Sequence, residues 1–149
     1  MDIIIIGCGK VGTTLAEQLV REDYNVVMID TSAERMQRVS DDIDAIKLVG
    51  NGASISMQIE AGVRTADMLI AVTGSDEMNL LCCLIARKVG HCHTIARVRN
   101  PIYSNELTFI KQQLGISMII NRNMRRRRRF REFCASRQRS RSIHLPRER

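Results

Sequence analysis

Short apolar runs alternate along residues 1–121 with longer stretches in which apolar residues recur every three or four positions. A short run bounded by glycine or polar residues is typical of a buried strand, and the longer spacing is typical of an amphipathic helix. The pattern predicts six strands, at Asp2–Ile6, Asn25–Ile29, Asp44–Val49, Asp67–Val72, His93–Val98 and Ile116–Ile120. It predicts five helices between the strands. Four have the bounds Lys10–Glu22, Ser54–Ala61, Asp76–Val89 and Tyr103–Leu114. The remaining one is a short helix that carries Met36 and Val39 and is capped by Thr31 or Ser32. The last three helices are expected to end at Gly62, Gly90 and Gly115.

Strands and helices alternate strictly, which predicts an α/β fold with a parallel sheet and right-handed crossovers. Six strands with a glycine-rich turn after the first favour a Rossmann-type, doubly wound six-stranded sheet of order 3-2-1-4-5-6. Aromatic residues make up only 3% of the 149 residues and Trp is absent, so the core is expected to be aliphatic, as parallel sheets prefer.

The first predicted strand runs into the loop Gly7-Cys8-Gly9-Lys10-Val11-Gly12, and a predicted helix follows. In such a GxGxxG loop the first glycine permits the tight turn, the second lets the backbone approach a pyrophosphate, and the third lets helix and sheet pack closely. The free N–H groups at the helix start then attract phosphate. The loop predicts a dinucleotide site, and Lys10 does not stand at the spacing of a P-loop lysine.

Asp30 lies 18 positions after Gly12, at the end of the second predicted strand. An acidic residue at this place accepts hydrogen bonds from the ribose hydroxyls of a dinucleotide. Its charge would oppose a 2′-phosphate, and Thr31 and Ser32 offer no arginine to bind one, so NAD is predicted in preference to NADP. The alternative role of Asp30 is that of a helix cap.

A second group of polar residues, residues 73–79, follows the fourth predicted strand, across the switch point of the sheet from the glycine loop. Thr73 and the backbone near it can face a nucleotide, and Asp76 can cap the next helix, although the composition alone predicts only a helix start. Arg97 and Arg99 alternate on the fifth strand and are expected on one side of it, with a solvated strand end as the alternative. His91, Cys92 and His93 are consecutive and lack a second ligand pair, so no metal site is predicted.

Taken together, the motifs resemble a known family, the TrkA N-terminal domain of Trk potassium-uptake proteins, also called the KTN domain or RCK N-lobe. The resemblance covers residues 1–121. It rests on the segments IIIIGCGKVG, VMID, GNG, ADMLIAVTGSDEMNLLCCLIA and TIARVRNP. Ordinary dehydrogenases lack the VTGSDEMN and IARVRNP stretches, which makes the combination specific.

The resemblance implies a regulatory role without catalysis. Such domains bind NAD+, NADH or the adenine nucleotides ATP and ADP, and form homo-oligomeric rings beneath a membrane-embedded potassium transporter or channel whose gate responds to the nucleotide. By matching position, the phosphates would lie on the loop from Gly7 to Gly12 and the ribose on Asp30 and Thr31. The adenine would lie near Asn51 and its neighbours Gly50 and Gly52, while Thr73, Asp76 and Arg97 would form the other half of the site.

The charge of the chain divides it into two parts. Residues 1–121 carry 11 Lys and Arg against 14 Asp and Glu, whereas residues 122–149 carry 12 Arg, no Lys and 2 Glu. This tail is interpreted in three ways: a disordered basic arm for nucleic acid or an anionic membrane, a helix whose Arg stems cover the body, or an out-of-frame translation, which is favoured. In the last case the helix and ligand-binding lobe that follow in the family are expected to be missing or replaced.

Other features narrow the class of protein. No apolar run reaches the roughly 18 residues that span a membrane, and the N-terminus starts a strand in place of a signal peptide, so a cytoplasmic protein is predicted. The family resemblance implies a peripheral place at the inner face of the cell membrane. The five cysteines show no disulfide spacing and are expected to be reduced. The alternative function is the cofactor domain of an NAD-dependent oxidoreductase, although no catalytic His or Lys is evident. Nucleic-acid binding through the tail is a third, less favoured class.

Overall fold

The computed structural model describes residues 1–121 and 127–142. Its strands are β1 (Asp2–Ile6), β2 (Asn25–Asp30), β3 (Ala45–Val49), β4 (Met68–Ala71), β5 (His93–Arg97) and β6 (Met118–Ile120). Its helices are α1 (Lys10–Arg21), α2 (Ala33–Arg38), α3 (Ile55–Glu60), α4 (Asp76–Gly90), α5 (Leu107–Leu114) and α6 (Arg127–Ser142), with a 3-10 turn at Pro101–Tyr103. The six strands and five helices predicted for residues 1–121 are all present, most of them within a residue or two of the predicted bounds.

The six strands form one parallel sheet in the order β3-β2-β1-β4-β5-β6. The predicted doubly wound topology is thereby confirmed. The chain leaves β1 to one side for β2 and β3, then crosses to the other side for β4, β5 and β6. The loops after β1 and β4 therefore diverge at the carboxyl edge of the sheet, which is where open α/β sheets form their ligand crevice.

The central strand β1 packs against helices on both faces. Ile3 and Ile5 belong to a core that includes Ala16 and Leu19 of α1. Ile4 and Ile6 belong to the opposite core, with residues of α3, α4 and α5. All four isoleucines are at most 2% exposed, because a strand covered on both faces has no polar side.

The tail contributes α6 to the same core that α1 covers. Phe130 and Cys134 are 5% and 2% exposed, and Phe133 packs beside them. The rings of Phe133 and His93 of β5 meet edge to face, with their centroids 6.1 Å apart. The guanidinium carbon of Arg137 lies over the Phe133 ring, 5.3 Å from its centroid. Apolar residues at helical spacing thus dock α6 on the sheet. The predictions for residues 122–126 and 143–149 lie outside the described residues.

The end of α4 differs from its prediction. Gly90 was expected as the glycine that stops the helix, but it lies inside α4, and His91 takes the left-handed cap conformation with φ 55°. A Cβ at Gly90 would overlap the carbonyl oxygen of Val63. Gly90 is therefore required by close packing against that backbone and not by the turn.

The start of α5 also differs. A helix was expected from Tyr103, but the chain makes the 3-10 turn at Pro101–Tyr103 and α5 begins at Leu107. The Asn100 side chain accepts a hydrogen bond from the N–H of Ile102 and so begins the earlier turn. Gly115 ends α5 with φ 65°, as predicted. Among the described residues, no helix is long and apolar enough to cross a membrane.

Candidate functional site

A cavity of about 390 Å³ lies at the carboxyl edge of the sheet, where the loops after β1 and β4 separate. Its volume falls in the range of sites for nucleotide-sized ligands. The lining residues come from the glycine loop, the end of β2, the loop after β3 and the loop after β4: Ile6, Gly7, Gly9, Ile29, Asp30, Thr31, Arg35, Gly50, Asn51, Gly52, Val72, Thr73, Gly74, Ser75, Met78 and Arg97.

The glycine loop is fixed by close backbone contacts at its two ends. Gly7 has φ 106°, in the left-handed region, and a Cβ there would come within 2.9 Å of the Val72 carbonyl group. A Cβ at Gly12 would overlap the carbonyl oxygen of Gly7. Both positions therefore exclude a side chain because of the protein's own packing.

Gly9 is different, because a Cβ there would meet no protein atom within 4 Å. The direction in which a side chain would point at Gly9 is open, and the residue lines the cavity. Gly9 is also the N-cap of α1, where no side chain caps the helix and no acidic residue lies in the first turn. The first N–H groups of α1 and the positive end of its dipole are thus available to an anion at the cavity.

Asp30 joins the end of β2 to the glycine loop. Its Oδ2 accepts a 2.7 Å hydrogen bond from the N–H of Cys8, and its Oδ1 accepts one of 2.8 Å from the N–H of Ser32. Burial by itself would raise the pKa of Asp30, but these two N–H groups and the Arg35 guanidinium together hold the pKa below its ordinary value. Asp30 is therefore ionised at neutral pH, and it positions the glycine loop as well as lining the cavity.

Arg35 is a lining residue that sequence reasoning missed. Ser32 caps α2 by accepting from the N–H of Arg35, and the side chain of Arg35 then folds back onto Asp30. Nε and Nη2 lie 3.2 and 3.1 Å from Oδ1 of Asp30. The prediction considered only Thr31 and Ser32 as neighbours of Asp30. The available signal was that the first turn of a helix brings its third residue back beside its cap.

The opposite wall of the cavity is held by Asn79, which is fully buried in α4. Its Oδ1 accepts from the N–H of Thr73 at 2.8 Å and from the Thr73 hydroxyl at 2.6 Å. Its Nδ2 donates to the carbonyl oxygen of Arg97 at 2.8 Å and to that of Thr73 at 3.2 Å. One amide side chain therefore fixes the loop after β4 to the end of β5.

Asp76 lies outside the cavity lining and does not cap α4. Ser75 is the cap, since its side chain accepts from the N–H of Met78. The Asp76 carboxylate instead accepts from the N–H groups of Arg99 and Asn100, at 3.0 and 2.7 Å. The prediction that Asp76 caps the helix is wrong, because a closer hydroxyl takes that place and the carboxylate reaches across to the turn after β5.

Arg97 reaches the cavity from the end of β5. Its Nη2 donates to the carbonyl oxygen of Thr73 at 2.8 Å. Its Nε is buried and has no hydrogen-bond partner among the described residues. Burial, together with the neighbouring Arg99, lowers the pKa of Arg97. A half-buried arginine that lines the cavity is suited to an anionic ligand group. Arg99 is exposed and donates to Gly74, so the two arginines hold the same loop from one side.

The structure brings most of the predicted site residues together. Those that line the cavity are Gly7, Gly9, Asp30, Thr31, Gly50, Asn51, Gly52, Thr73 and Arg97. Cys8 and Gly12 are buried behind the loop, whereas Lys10 and Val11 are exposed on the first turn of α1 outside the lining. Besides Arg35, the lining residues that were not predicted are mostly backbone or apolar contributors, namely Ile6, Ile29, Val72, Gly74, Ser75 and Met78.

The cysteine side chains do not line the cavity, and neither do His91 and His93. All five cysteines are buried free thiols. Burial raises the pKa of Cys8 and Cys82 to about 12 and that of Cys92 and Cys134 to about 11, so these thiols are protonated at neutral pH. Within residues 1–121 and 127–142, no group of three or more His, Cys, Asp or Glu side chains is placed to hold a metal ion.

Fold and cavity together define the class as a Rossmann-type domain with its ligand crevice at the topological switch point. The TrkA-N domain family matches residues 3–122, and the chain belongs to that family. The resemblance drawn from the sequence motifs is thereby confirmed.

Relatives and solved structures agree with this membership. The chain is 40% identical over 120 residues to the Trk system potassium uptake protein TrkA homolog of Archaeoglobus fulgidus, covering 80% of this chain and 27% of that protein. It is 36% identical over 121 residues to the homolog of Methanothermobacter thermautotrophicus, covering 81% and 54%. The chain thus spans about a quarter to a half of the length of these relatives.

Two solved structures share the fold at low identity. The TrkA-N domain of the inner membrane protein ybaL from Escherichia coli superposes with a TM-score of 0.71 at 23% identity, covering 89% of this chain and 95% of that one. The GsuK channel bound to NAD superposes with a TM-score of 0.67 at 20% identity, covering 80% and 21%.

Proposed function

We propose that this chain is a regulatory module of a potassium-uptake system, that it binds NAD(H) in the cavity between the loops after β1 and β4, and that the bound nucleotide acts through conformation rather than chemistry. ATP and ADP are candidate ligands of the same site. A membrane-embedded potassium transporter is the partner, with the chain acting as a homo-oligomer on the cytoplasmic face of the membrane.

The main evidence for a nucleotide ligand is the open space beside Gly9. The residue lines the cavity and has open space where a side chain would stand, while the uncapped start of α1 points its N–H groups to the same place. Asp30 is hydrogen-bonded to the N–H of Cys8 near the start of the loop, and the cationic Arg97 lines the opposite wall, where its Nη2 donates to the Thr73 carbonyl. A pyrophosphate on the loop with a ribose on Asp30 satisfies all three features.

The partner is proposed from the family. The relatives of known name are potassium uptake proteins, and structures of the same fold include a channel bound to NAD and to ADP. A regulatory role without catalysis fits a cavity whose polar groups bind and position, since Asp30, Thr73 and Arg97 are each engaged in fixing a loop. The oxidoreductase alternative requires turnover, which the experiment below includes.

Calorimetry of the whole chain with NAD+, NADH, ATP and ADP tests the site. Gly9→Val is the diagnostic variant, because φ at Gly9 is −73° and no protein atom opposes a side chain there. We expect Gly9→Val to keep the melting temperature and to lose nucleotide binding, since the side chain occupies the space of the phosphates. Ala135→Val, on an exposed position of α6, is the control and should keep both.

Two results would contradict the proposal. Undiminished binding to Gly9→Val would place the nucleotide elsewhere, and oxidation of alcohols or hydroxy acids by the chain with NAD+ would favour the oxidoreductase. Co-purification with a potassium transporter, strengthened or weakened by the bound nucleotide, tests the partner.

The division of the chain is also a proposal. We infer that residues 1–121 form the nucleotide-binding body and that residues 122–149 are a separate addition, since the family match ends at residue 122. The out-of-frame origin of the tail stays a prediction. Resequencing the encoding DNA tests it: an alternative frame that continues an Ala- and Glu-rich helix would support it, and an intact frame would contradict it.

A further inference from the structure

The end of the cavity at β2 carries two opposite charges instead of one. Asp30 is buried, with its side chain only 5% exposed, and Arg35 is bound to its Oδ1 by both Nε and Nη2. Both residues line the cavity, next to Thr31 and Asn51. A nucleotide ribose that approaches Asp30 therefore meets the guanidinium of Arg35 at the same time.

Arg35 is also free to change partner. Its side chain is 52% exposed, and its Nη1 makes no hydrogen bond with any described residue. Asp30 does not depend on it alone, because the N–H groups of Cys8 and Ser32 hold both carboxylate oxygens. The guanidinium can therefore turn toward a ligand while Asp30 stays ionised and hydrogen-bonded.

We propose that Arg35 determines the ribose specificity of the site and admits adenine dinucleotides with a 2′-phosphate, NADP(H), alongside NAD(H). This inference rests on the proposed nucleotide function. It reverses the preference that Asp30 alone predicts, since a lone buried carboxylate repels a 2′-phosphate whereas a carboxylate neutralised by arginine does not.

The geometry of guanidinium and phosphate supports this role. Arginine presents parallel N–H donors that match the oxygens of a phosphate, and charged hydrogen bonds of this kind are the strong ones. With a 2′-hydroxyl in place of the phosphate, Arg35 keeps its contact with Asp30 and the ribose hydroxyls share the carboxylate. The same side chain thus serves both ligands by changing its partner.

Calorimetry of the whole chain with NADH and with NADPH tests the inference in the wild type, Arg35→Ala and Arg38→Ala. Arg38 lies on the same helix, is exposed and lies outside the cavity, so its variant removes an equal charge without touching the site. We expect wild-type affinities for the two nucleotides within about tenfold of each other. In Arg35→Ala, the affinity for NADPH should fall by about tenfold or more while that for NADH stays within about threefold.

Arg35→Lys sharpens the result, because it keeps the charge and loses the paired donors; NADPH binding should be intermediate. Arg38→Ala should leave the ratio of the two affinities unchanged. NADH binding without NADPH binding in the wild type would overturn this inference and leave the proposed function intact. An equal loss of both nucleotides in Arg35→Ala would likewise overturn it, and binding of neither nucleotide by the wild type would overturn the proposed function as well.

Discussion

The two walls of the cavity are held by different means. The wall formed by the glycine loop is fixed mainly by backbone that approaches backbone, with Gly7 against Val72 and Gly12 against the Gly7 carbonyl, and one carboxylate, Asp30, holds the N–H of Cys8. The wall formed by the loop after β4 is fixed mainly by side chains, above all Asn79 and Asp76, which together hold backbone groups of that loop and of residues 97–100. The first wall therefore depends mainly on positions that exclude a side chain, and the second depends mainly on particular polar side chains.

This difference explains why motif residues have unequal relations to the cavity. In the glycine loop only Gly9 has space that a ligand can fill, whereas Gly12 serves the fold. In the second motif Thr73 lines the cavity, whereas Asp76 and Asn79 lie behind it and shape it. A residue that belongs to a nucleotide-binding motif is thus as often a support of the site as a contact.

The largest effect is expected at Gly12. Gly12→Ala places a methyl group on the Gly7 carbonyl oxygen, so we expect a loss of about 4 kcal/mol in the free energy of unfolding, measured by urea denaturation. Gly9→Ala is the matched control in the same loop and should change stability by less than about 0.5 kcal/mol. Equal losses at the two positions would show that the loop is not divided into a structural and a ligand-facing glycine.

The next effect is expected at Asn79. Asn79→Ala removes four hydrogen bonds in a fully buried site and leaves the N–H of Thr73 and the carbonyl of Arg97 without this partner. We expect the free energy of unfolding to fall by about 3 kcal/mol and nucleotide affinity to fall with it.

Glu77→Ala, in the same turn of α4 but exposed, is the control for Asn79 and should lose much less stability. A variant at Asn79 that retains wild-type stability would mean that this wall, like the other, is held by its backbone.

A smaller effect on the free energy of unfolding, one that depends on pH, is expected at Asp30. Its pKa is lower in the folded chain than in the unfolded one, so the unfolded state binds more protons and ionised Asp30 contributes stability at neutral pH. That contribution is complete above about pH 5 and is lost as the pH falls below about 4 and through the folded pKa. In urea titrations, the stability difference between the wild type and Asp30→Asn should therefore shrink on acidification. A difference that grows on acidification would show that burial, rather than the N–H groups and Arg35, controls this carboxylate.

The tail shows how composition can conceal a pattern. Residues 122–149 contain 12 Arg, yet Phe130, Phe133 and Cys134 have the spacing of one helix face and pack on the sheet. Tyr24 adds a hydrogen bond of 2.9 Å from its hydroxyl to Gln138. Three apolar positions in four turns are enough to dock α6, because the sheet beside α1 offers an apolar face that a helix can cover.

The sequence by itself determined the fold and the ligand edge of the sheet. Alternation of apolar runs and helical periodicity specifies the strand order through the handedness of crossovers, and the loop from Gly7 to Gly12 with Asp30 marks the crevice. These features are local in the chain, which is why they can be read from it. The same holds for the cap at Ser32 and the glycine at 115.

Only the tertiary structure decided which side chains meet. Gly90 is required because Val63 approaches it from a distant segment, and Arg97 reaches the carbonyl of Thr73, which lies 24 residues earlier in the chain. Asp76 and Asn79 hold backbone groups of residues 97–100, which lie 18 to 24 residues further along the chain. Hydrogen bonds and close approaches between separate segments depend on distances in space, and the order of residues along the chain does not state those distances.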